Sequence, residues 1–127
     1  MKKHLRYPAF VLGFLLAAAV FFPGACMQQP GKGKLADEGR AVSALIISAL
    51  ENYKKDHGNY PRYLNELVPG YLENDPTRKE KSEIDYTYFP GAENNSYRLR
   101  FSYPGFMGTD DCTYSSTDEV WRCGGTM

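Results

Sequence analysis

The chain has 127 residues and carries 15 Lys and Arg against 15 Asp and Glu, so its formal net charge is zero. This length suits one domain. Beyond the first six residues there is no block of clustered positive charge, which nucleic-acid binding needs in order to neutralise phosphates. Nucleic acid is therefore not an expected partner.

The first 26 residues have the pattern of an export signal. Lys2, Lys3 and Arg6 precede an apolar run over 9–22, and small residues follow it up to a cysteine at position 26. A charged start, an apolar stretch of this length and a small-residue exit are typical of a secretory signal. A proline and a glycine end the run short of the about 20 apolar residues that a spanning helix needs, so a membrane span is not expected.

Cys26 directly after these small residues resembles the lipobox of bacterial lipoproteins. The resemblance implies cleavage after residues 1–25, fatty acylation of Cys26 and attachment to a membrane through the lipid. Pro23 departs from the motif, which usually has Leu or another aliphatic residue at that position. The alternative is an ordinary signal peptide cut near Ala25, which leaves Cys26 as a free thiol. After cleavage the chain carries 12 basic and 15 acidic residues, a net charge of −3.

Two further cysteines remain after position 26. Exported proteins seldom carry an odd number of cysteines, and acylation of Cys26 would leave Cys112 and Cys123 as a pair. An oxidising compartment favours a disulfide between them. A zinc site is not expected, because His57 is the only histidine after the signal and zinc sites want four ligands.

Residues 26–34 are rich in Gly, Pro and polar side chains, which predicts a flexible tether between the anchor and a domain over 35–127. Met27 is not the aspartate that in similar lipoproteins signals retention at the inner membrane. In an organism with two membranes, that resemblance implies the periplasmic face of the outer membrane, or the cell surface.

A helix is predicted from about Leu35 to His57. Six apolar residues fall at the spacing of one helix face and predict a stripe that packs on the core; they are Val42, Leu45, Ile46, Ala49, Leu50 and Tyr53. Gly58 is a natural C-terminal cap.

Beyond the helix, the period changes from helical to alternating. Residues 84–88 and 97–103 alternate apolar and polar side chains, as in strands with one buried face. Residues 90–95 between them have turn chemistry, so an antiparallel hairpin is predicted. Arg98 and Arg100 should then lie on its solvated outer face, with Asp85 as a cross-strand partner. Two more strands are predicted over 112–115 and 119–123. The fold class is therefore α+β, with one long N-terminal helix packed on a small antiparallel sheet.

The stretch Tyr53-Lys-Lys-Asp-His-Gly-Asn-Tyr-Pro61, followed by spaced leucines at 64 and 67, is similar to the globular head of type IV pilins and of the major pseudopilin of type II secretion. In that family a long helix ends in such a segment, a short helix with two leucines follows, and a small sheet covers the long helix. The resemblance covers about 35–103. It implies a pilin-like head and a role beside secretion or envelope proteins.

The N-terminus departs from that family. Pilins have a glutamate five residues into an unbroken apolar helix, whereas Ala18 stands at that position here, and Pro-Gly pairs at 23–24 and 30–31 would break such a helix. The part that assembles filaments is therefore missing, and the chain is interpreted as a pilin-like head on a lipid anchor.

No motif supports catalysis, because His57 alone is left as a base for a nucleophile. The C-terminal carboxylates of Asp110, Asp111 and Asp118 can in principle hold calcium, which takes six to eight oxygen ligands. A solvated acidic loop is the favoured interpretation, and no cofactor is expected.

The sequence thus predicts a non-catalytic, lipid-anchored envelope protein that acts by protein–protein contact in envelope assembly or secretion. Phe106 and Trp121 are the predicted partner-binding anchors, because aromatic residues carry much of the energy of interfaces. The alternative is a small-ligand or calcium-binding module that uses the C-terminal loop, where the rings of Tyr103, Phe106, Tyr114 and Trp121 would gather. Exposure of these rings would favour binding and burial would favour the core.

Overall fold

The computed structural model describes residues 29–78 and 81–126. The predicted signal over 1–25 and the acylation of Cys26 lie outside these residues. Within them the fold is α+β, with one α-helix packed against a four-stranded antiparallel sheet. The elements are α1 (Lys34–His57), a 3₁₀ turn (Leu64–Leu67), β1 (Asp85–Pro90), a 3₁₀ turn (Ala92–Asn94), β2 (Tyr97–Pro104), β3 (Thr109–Ser115) and β4 (Val120–Thr126).

Helix α1 begins one residue before the predicted start and ends at the predicted residue. Gly58 ends it in the left-handed conformation, with a φ of 89°, and its backbone N–H donates to the carbonyl of Lys54 over 2.7 Å. Glycine adopts this conformation without the steric cost of a Cβ. The cap turns the chain towards Tyr60, whose N–H donates to the carbonyl of Asn94. The helix end is thereby tied to the connection between β1 and β2.

The four strands are joined in chain order, and each pairs antiparallel with the next. The predicted hairpin is confirmed, and its register places Tyr88 opposite Leu99 and Asp85 opposite Ser102. The two later strands are also observed, and each is longer than predicted. Alternate residues of β2 are buried, as the period of two requires for a sheet with one covered face. They are Tyr97, Leu99, Phe101 and Tyr103.

The buried face of α1 is rotated from the predicted stripe. Ile46, Ala49 and Leu50 are buried as predicted, but Leu45 is 65% exposed, and its prediction as a core residue is wrong. The face instead continues towards the N-terminus through small residues. These are Ala36, Gly39 and Ser43.

Among residues 29–78 and 81–126, two clusters of buried residues form the core. The large cluster lies towards the end of α1, and its members are Ile46, Ala49, Leu50, Tyr60, Leu64, Leu67, Tyr97 and Leu99. The small cluster lies towards the start of α1, and its members are Ala36, Ile84, Phe101, Tyr103 and Cys112. The two leucines of the first 3₁₀ turn are buried in the large cluster, so the loop after the helix is pinned to the core.

Residues 29–33, called here the docked segment, differ from the free tether that the sequence predicts. Gly31 is buried, its N–H donates to the hydroxyl of Tyr103 over 2.8 Å, and its carbonyl accepts from the guanidinium of Arg40 over 2.7 Å. A Cβ at this glycine would lie 2.6 Å from Sγ of Cys123. The chain therefore joins the folded domain by residue 31, beside β2 and β4. None of the helices in the described residues is long and apolar enough to cross a membrane.

Candidate functional site

The predicted disulfide between Cys112 and Cys123 is present. The two cysteines stand opposite each other in the register of β3 and β4. Cys112 is fully buried in the small cluster, whereas Cys123 lies on the edge strand, 3.6 Å from the guanidinium of Arg40. The bridge therefore ties the last strand to the core.

The three carboxylates predicted as calcium ligands are not brought together. Asp110 and Asp111 are successive residues of β3 and so point to opposite faces of the sheet. Asp118 lies in the turn at the other end of β3, where the guanidinium of Arg122 donates to it. That bond lowers the pKa of Asp118 and keeps its carboxylate paired. Within 29–78 and 81–126, no three His, Cys, Asp or Glu side chains converge to hold a metal ion.

Trp121, a predicted anchor, lies on the helix side of the sheet. Its ring centroid is 5.3 Å from that of Phe101 and 5.4 Å from that of Tyr114, and the side chain is half-buried. Tyr103 lies on the same side and is buried. These rings pack as a row beneath the sheet and do not gather around a loop. The geometry therefore favours a packing role for Trp121.

Phe106, the other predicted anchor, lies apart from these rings. It stands with Met107 in the turn between β2 and β3, where their exposed fractions are 74% and 67%. The N–H of Gly105 donates to the carbonyl of Gly108 over 2.8 Å and closes the turn. Phe106 and Trp121 thus do not share one surface of the sheet.

The outer face of the sheet, the side away from α1, presents a row of side chains across all four strands. The register aligns Phe89 of β1, Arg98 of β2, Ser115 of β3 and Val120 of β4. Phe89 and Val120 are exposed, and so is the arginine between them. A second row runs parallel to the first and holds Thr87, Arg100, Thr113 and Arg122.

Two arginines of this face share one aromatic ring. The guanidinium carbon of Arg98 is 5.7 Å from the ring centroid of Phe89, and that of Arg100 is 5.5 Å away. Such contacts are attractive, and they hold flexible side chains near the ring. The outer face therefore offers two arginines next to an apolar ring, while Asp85 and Asp111 occupy the next row of the same face. Arg, aromatic and apolar residues of this kind are enriched at protein interfaces.

The sequence did not identify Phe89 as part of a site. Its prediction placed the two arginines on the outer face, which is confirmed, but it ended the strand at Tyr88. The strand continues through Pro90. The alternating pattern could have placed Phe89 on the outer face, because residue 89 is two beyond Thr87 and therefore lies on the same face.

A cleft of about 460 Å³ separates β1 from the loop after α1. Tyr63, Tyr86 and Tyr88 line it, together with polar residues such as Asp75 and Thr77. Its polar groups are largely paired within the protein, since the hydroxyl of Tyr88 donates to the carbonyl of Pro61 and Asp75 accepts from Thr77. Burial raises the pKa of Tyr86 to about 12, so this phenol stays neutral at ordinary pH.

His57, the one histidine considered as a base, lies at the end of α1. Its ring stacks on Tyr53 with centroids 4.1 Å apart, and its Nε2 is 3.2 Å from the hydroxyl of Tyr71. The same hydroxyl donates to the carboxylate of Asp56 over 2.7 Å. These contacts fasten the loop after the helix, and a structural role accounts for them.

Comparison with protein-family models, with curated proteins and with solved structures finds no match to this chain. Its function is therefore argued from the geometry of the described residues and from the sequence pattern.

Proposed function

We propose that this protein is a non-catalytic, lipid-anchored envelope protein whose pilin-like domain acts by protein–protein contact in envelope assembly or secretion. Fatty acylation of Cys26 would attach it to the membrane, at the periplasmic face of the outer membrane or at the cell surface. The export pattern of the first 26 residues supports the anchor, and one helix covered by an antiparallel sheet is what a pilin-like head requires.

The observation that carries the proposed contact is the outer face of the sheet. α1 covers the other face, whereas Phe89, Arg98 and Arg100 are exposed to solvent. Its chemistry fits a protein partner with an acidic surface that also has an apolar patch, because charge complementarity speeds encounter and an aromatic ring adds contact area. We place the partner contact on this face, and we assign Trp121 to the packing beneath the sheet.

The C-terminal carboxylates do not support calcium binding, because Asp110 and Asp111 point to opposite faces of the sheet and Asp118 pairs with Arg122. No turnover is expected of the protein, and its proposed work consists of binding.

A photoreactive amino acid at position 89 tests the contact in intact cells. The full-length protein should crosslink to a protein partner from position 89 and much less from position 48, which is exposed on the helix at the opposite side of the domain. The double change Arg98→Glu and Arg100→Glu should abolish the crosslink without lowering Tm, since both side chains are exposed.

Arg62→Glu is the matched control for this charge reversal, because Arg62 is an exposed arginine on the loop after α1. It should leave the crosslink intact. Equal crosslinking from positions 89 and 48, or a crosslink that survives the double charge reversal, would remove the outer face as the contact surface.

A further inference from the structure

The turn between β2 and β3 exposes apolar side chains at one end of the domain. Phe106 and Met107 are adjacent at its tip, and no charged residue occurs from position 103 to position 109. Gly105 and Gly108 close the turn by a hydrogen bond, so the two side chains are held outward from the sheet. Neither side chain contributes to a core cluster.

The chain enters the domain at this same end. The N–H of Gly31 bonds to the hydroxyl of Tyr103, two residues before the turn begins at Gly105. Pro30 lies beside Gly125, which stands opposite Asp110 at the start of β3. The docked segment and the apolar turn are therefore neighbours.

The distance from the anchor follows from the length of the chain. Cys26 is five residues before Gly31, and an extended chain spans at most about 3.6 Å per residue, so the two lie within about 18 Å of each other. An acyl-bearing cysteine sits at the level of the lipid headgroups. The short connection therefore holds the end of the domain that carries Phe106 close to the membrane surface.

We propose that Phe106 and Met107 insert into the interfacial layer of the membrane to which Cys26 anchors the chain. This inference rests on the lipid anchor of the proposed function. Phe and other apolar side chains at the tip of an element enter the boundary between headgroups and acyl chains, and a second membrane contact adds to a lipid anchor. The contact fixes the orientation of the domain and turns its opposite end, with the end of α1, away from the membrane.

A lipid surface fits this turn better than a protein partner does. The turn offers apolar side chains without the arginines and the flat strand surface that the outer face provides. The side chains beside the turn include the acidic Asp110 and Glu83, so the membrane contact is made by the apolar pair and not by attraction to anionic headgroups.

Depth-dependent quenching of tryptophan tests the insertion. The full-length protein is purified with its N-terminal modification and reconstituted into phosphatidylcholine vesicles that contain brominated acyl chains. Two variants each carry a second tryptophan besides the native Trp121. One is Phe106→Trp at the turn, and the other is Tyr63→Trp at the other end of the domain. The control is matched, because Tyr63 is also an exposed aromatic residue in a loop, at 59%. The added emission should be quenched several-fold more strongly at position 106 than at position 63.

The outcomes separate this inference from the anchor itself. If Cys26 is acylated and the protein floats with the vesicles, but both added tryptophans are quenched equally, the insertion is overturned and the anchor stands. If a photoreactive group at position 106 reacts with a protein and not with lipid in cells, the turn is a protein contact and the insertion is likewise overturned. An unmodified Cys26 in protein that does not float removes the anchor and the insertion together.

Discussion

The two core clusters of this domain differ in which element supplies their large side chains. The large cluster, near the end of α1, is filled by bulky side chains such as Ile46, Leu50 and Leu67. The small cluster, near the start of α1, receives Ala36 and the partly buried Leu35 from the helix and lies beside Gly39. There the sheet supplies the volume, chiefly through Phe101 and Tyr103.

The difference shows how the end of the domain that contains the small cluster, called here the thin end, is held together. Small residues let α1 approach β2 closely, so that the ring of Phe101 occupies the space where side chains of the helix would otherwise lie. This end has fewer apolar contacts to lose, and it is reinforced by the disulfide and by the hydrogen bonds of Gly31. It is also the end nearest the proposed anchor, where a link to the membrane enters the domain.

Truncation within the large cluster should have the largest effect. Leu50→Ala is expected to lower the free energy of unfolding by about 2–5 kcal/mol, because Leu50 is completely buried. The same change at Leu45, which is largely exposed, should cost less than about 0.5 kcal/mol. Denaturant unfolding of both variants checks the pair. Equal losses at the two positions would mean that α1 is rotated from the orientation described.

Removal of the disulfide should have the next largest effect on the free energy of unfolding, and it should act on the small cluster. Replacing Cys112 and Cys123 together by Ala is expected to cost roughly 2–3 kcal/mol, from the loop that the bridge closes over a separation of 11 residues. Peptide mapping without reductant should show the two cysteines linked. If both thiols of the folded wild type alkylate readily without reductant, the bridge does not form in solution and this account of the thin end fails.

An added Cβ at the close contact between α1 and β2 should lower the free energy of unfolding by a somewhat smaller amount. A Cβ at Gly39 would lie 2.5 Å from Cε2 of Phe101, so Gly39→Ala forces the ring to move, and we expect a loss of about 1–3 kcal/mol. Gly70→Ala is the matched control, since no atom lies near its added Cβ. It should be neutral or slightly stabilising. A stabilising Gly39→Ala would show that the helix does not approach β2 this closely.

The smallest effect is expected from the hydroxyl of Tyr97. This group is buried in the large cluster and, among the described residues, it has no hydrogen-bond partner. Tyr97→Phe keeps the ring contacts with Tyr60 and Tyr88. Because an unpaired buried hydroxyl carries a desolvation cost, Tm should stay the same or rise. A drop of several degrees would reveal a partner for the hydroxyl, such as a buried water.

The sequence predicted the helix and the strands because periodicity reports burial directly. It misplaced Leu45 because a count of large apolar residues gives no weight to small ones. The buried face is centred on Gly39, Ser43 and Ile46. Glycine and serine are not counted as hydrophobic residues, although their small size permits the close approach of Phe101.

The docked segment and the outer face were harder to predict. Gly31 is held by Tyr103, 72 residues further along the chain, and no local pattern reports such a contact. The two arginines were placed correctly on the outer face, whereas their shared ring, Phe89, was missed because the predicted strand ended at Tyr88, two residues before the observed end. The carboxylates looked like a cluster only because Asp110 and Asp111 are neighbours in sequence, and on a strand neighbours diverge.

Mass spectrometry of the N-terminal peptide of the protein extracted from membranes tests the central claim most directly. The account predicts that the mature chain begins at Cys26, that this residue carries fatty acyl groups, and that Cys26→Ser releases the protein from the membrane fraction. An unmodified Cys26 thiol in the membrane-extracted protein, or membrane retention that is unchanged by Cys26→Ser, would contradict it.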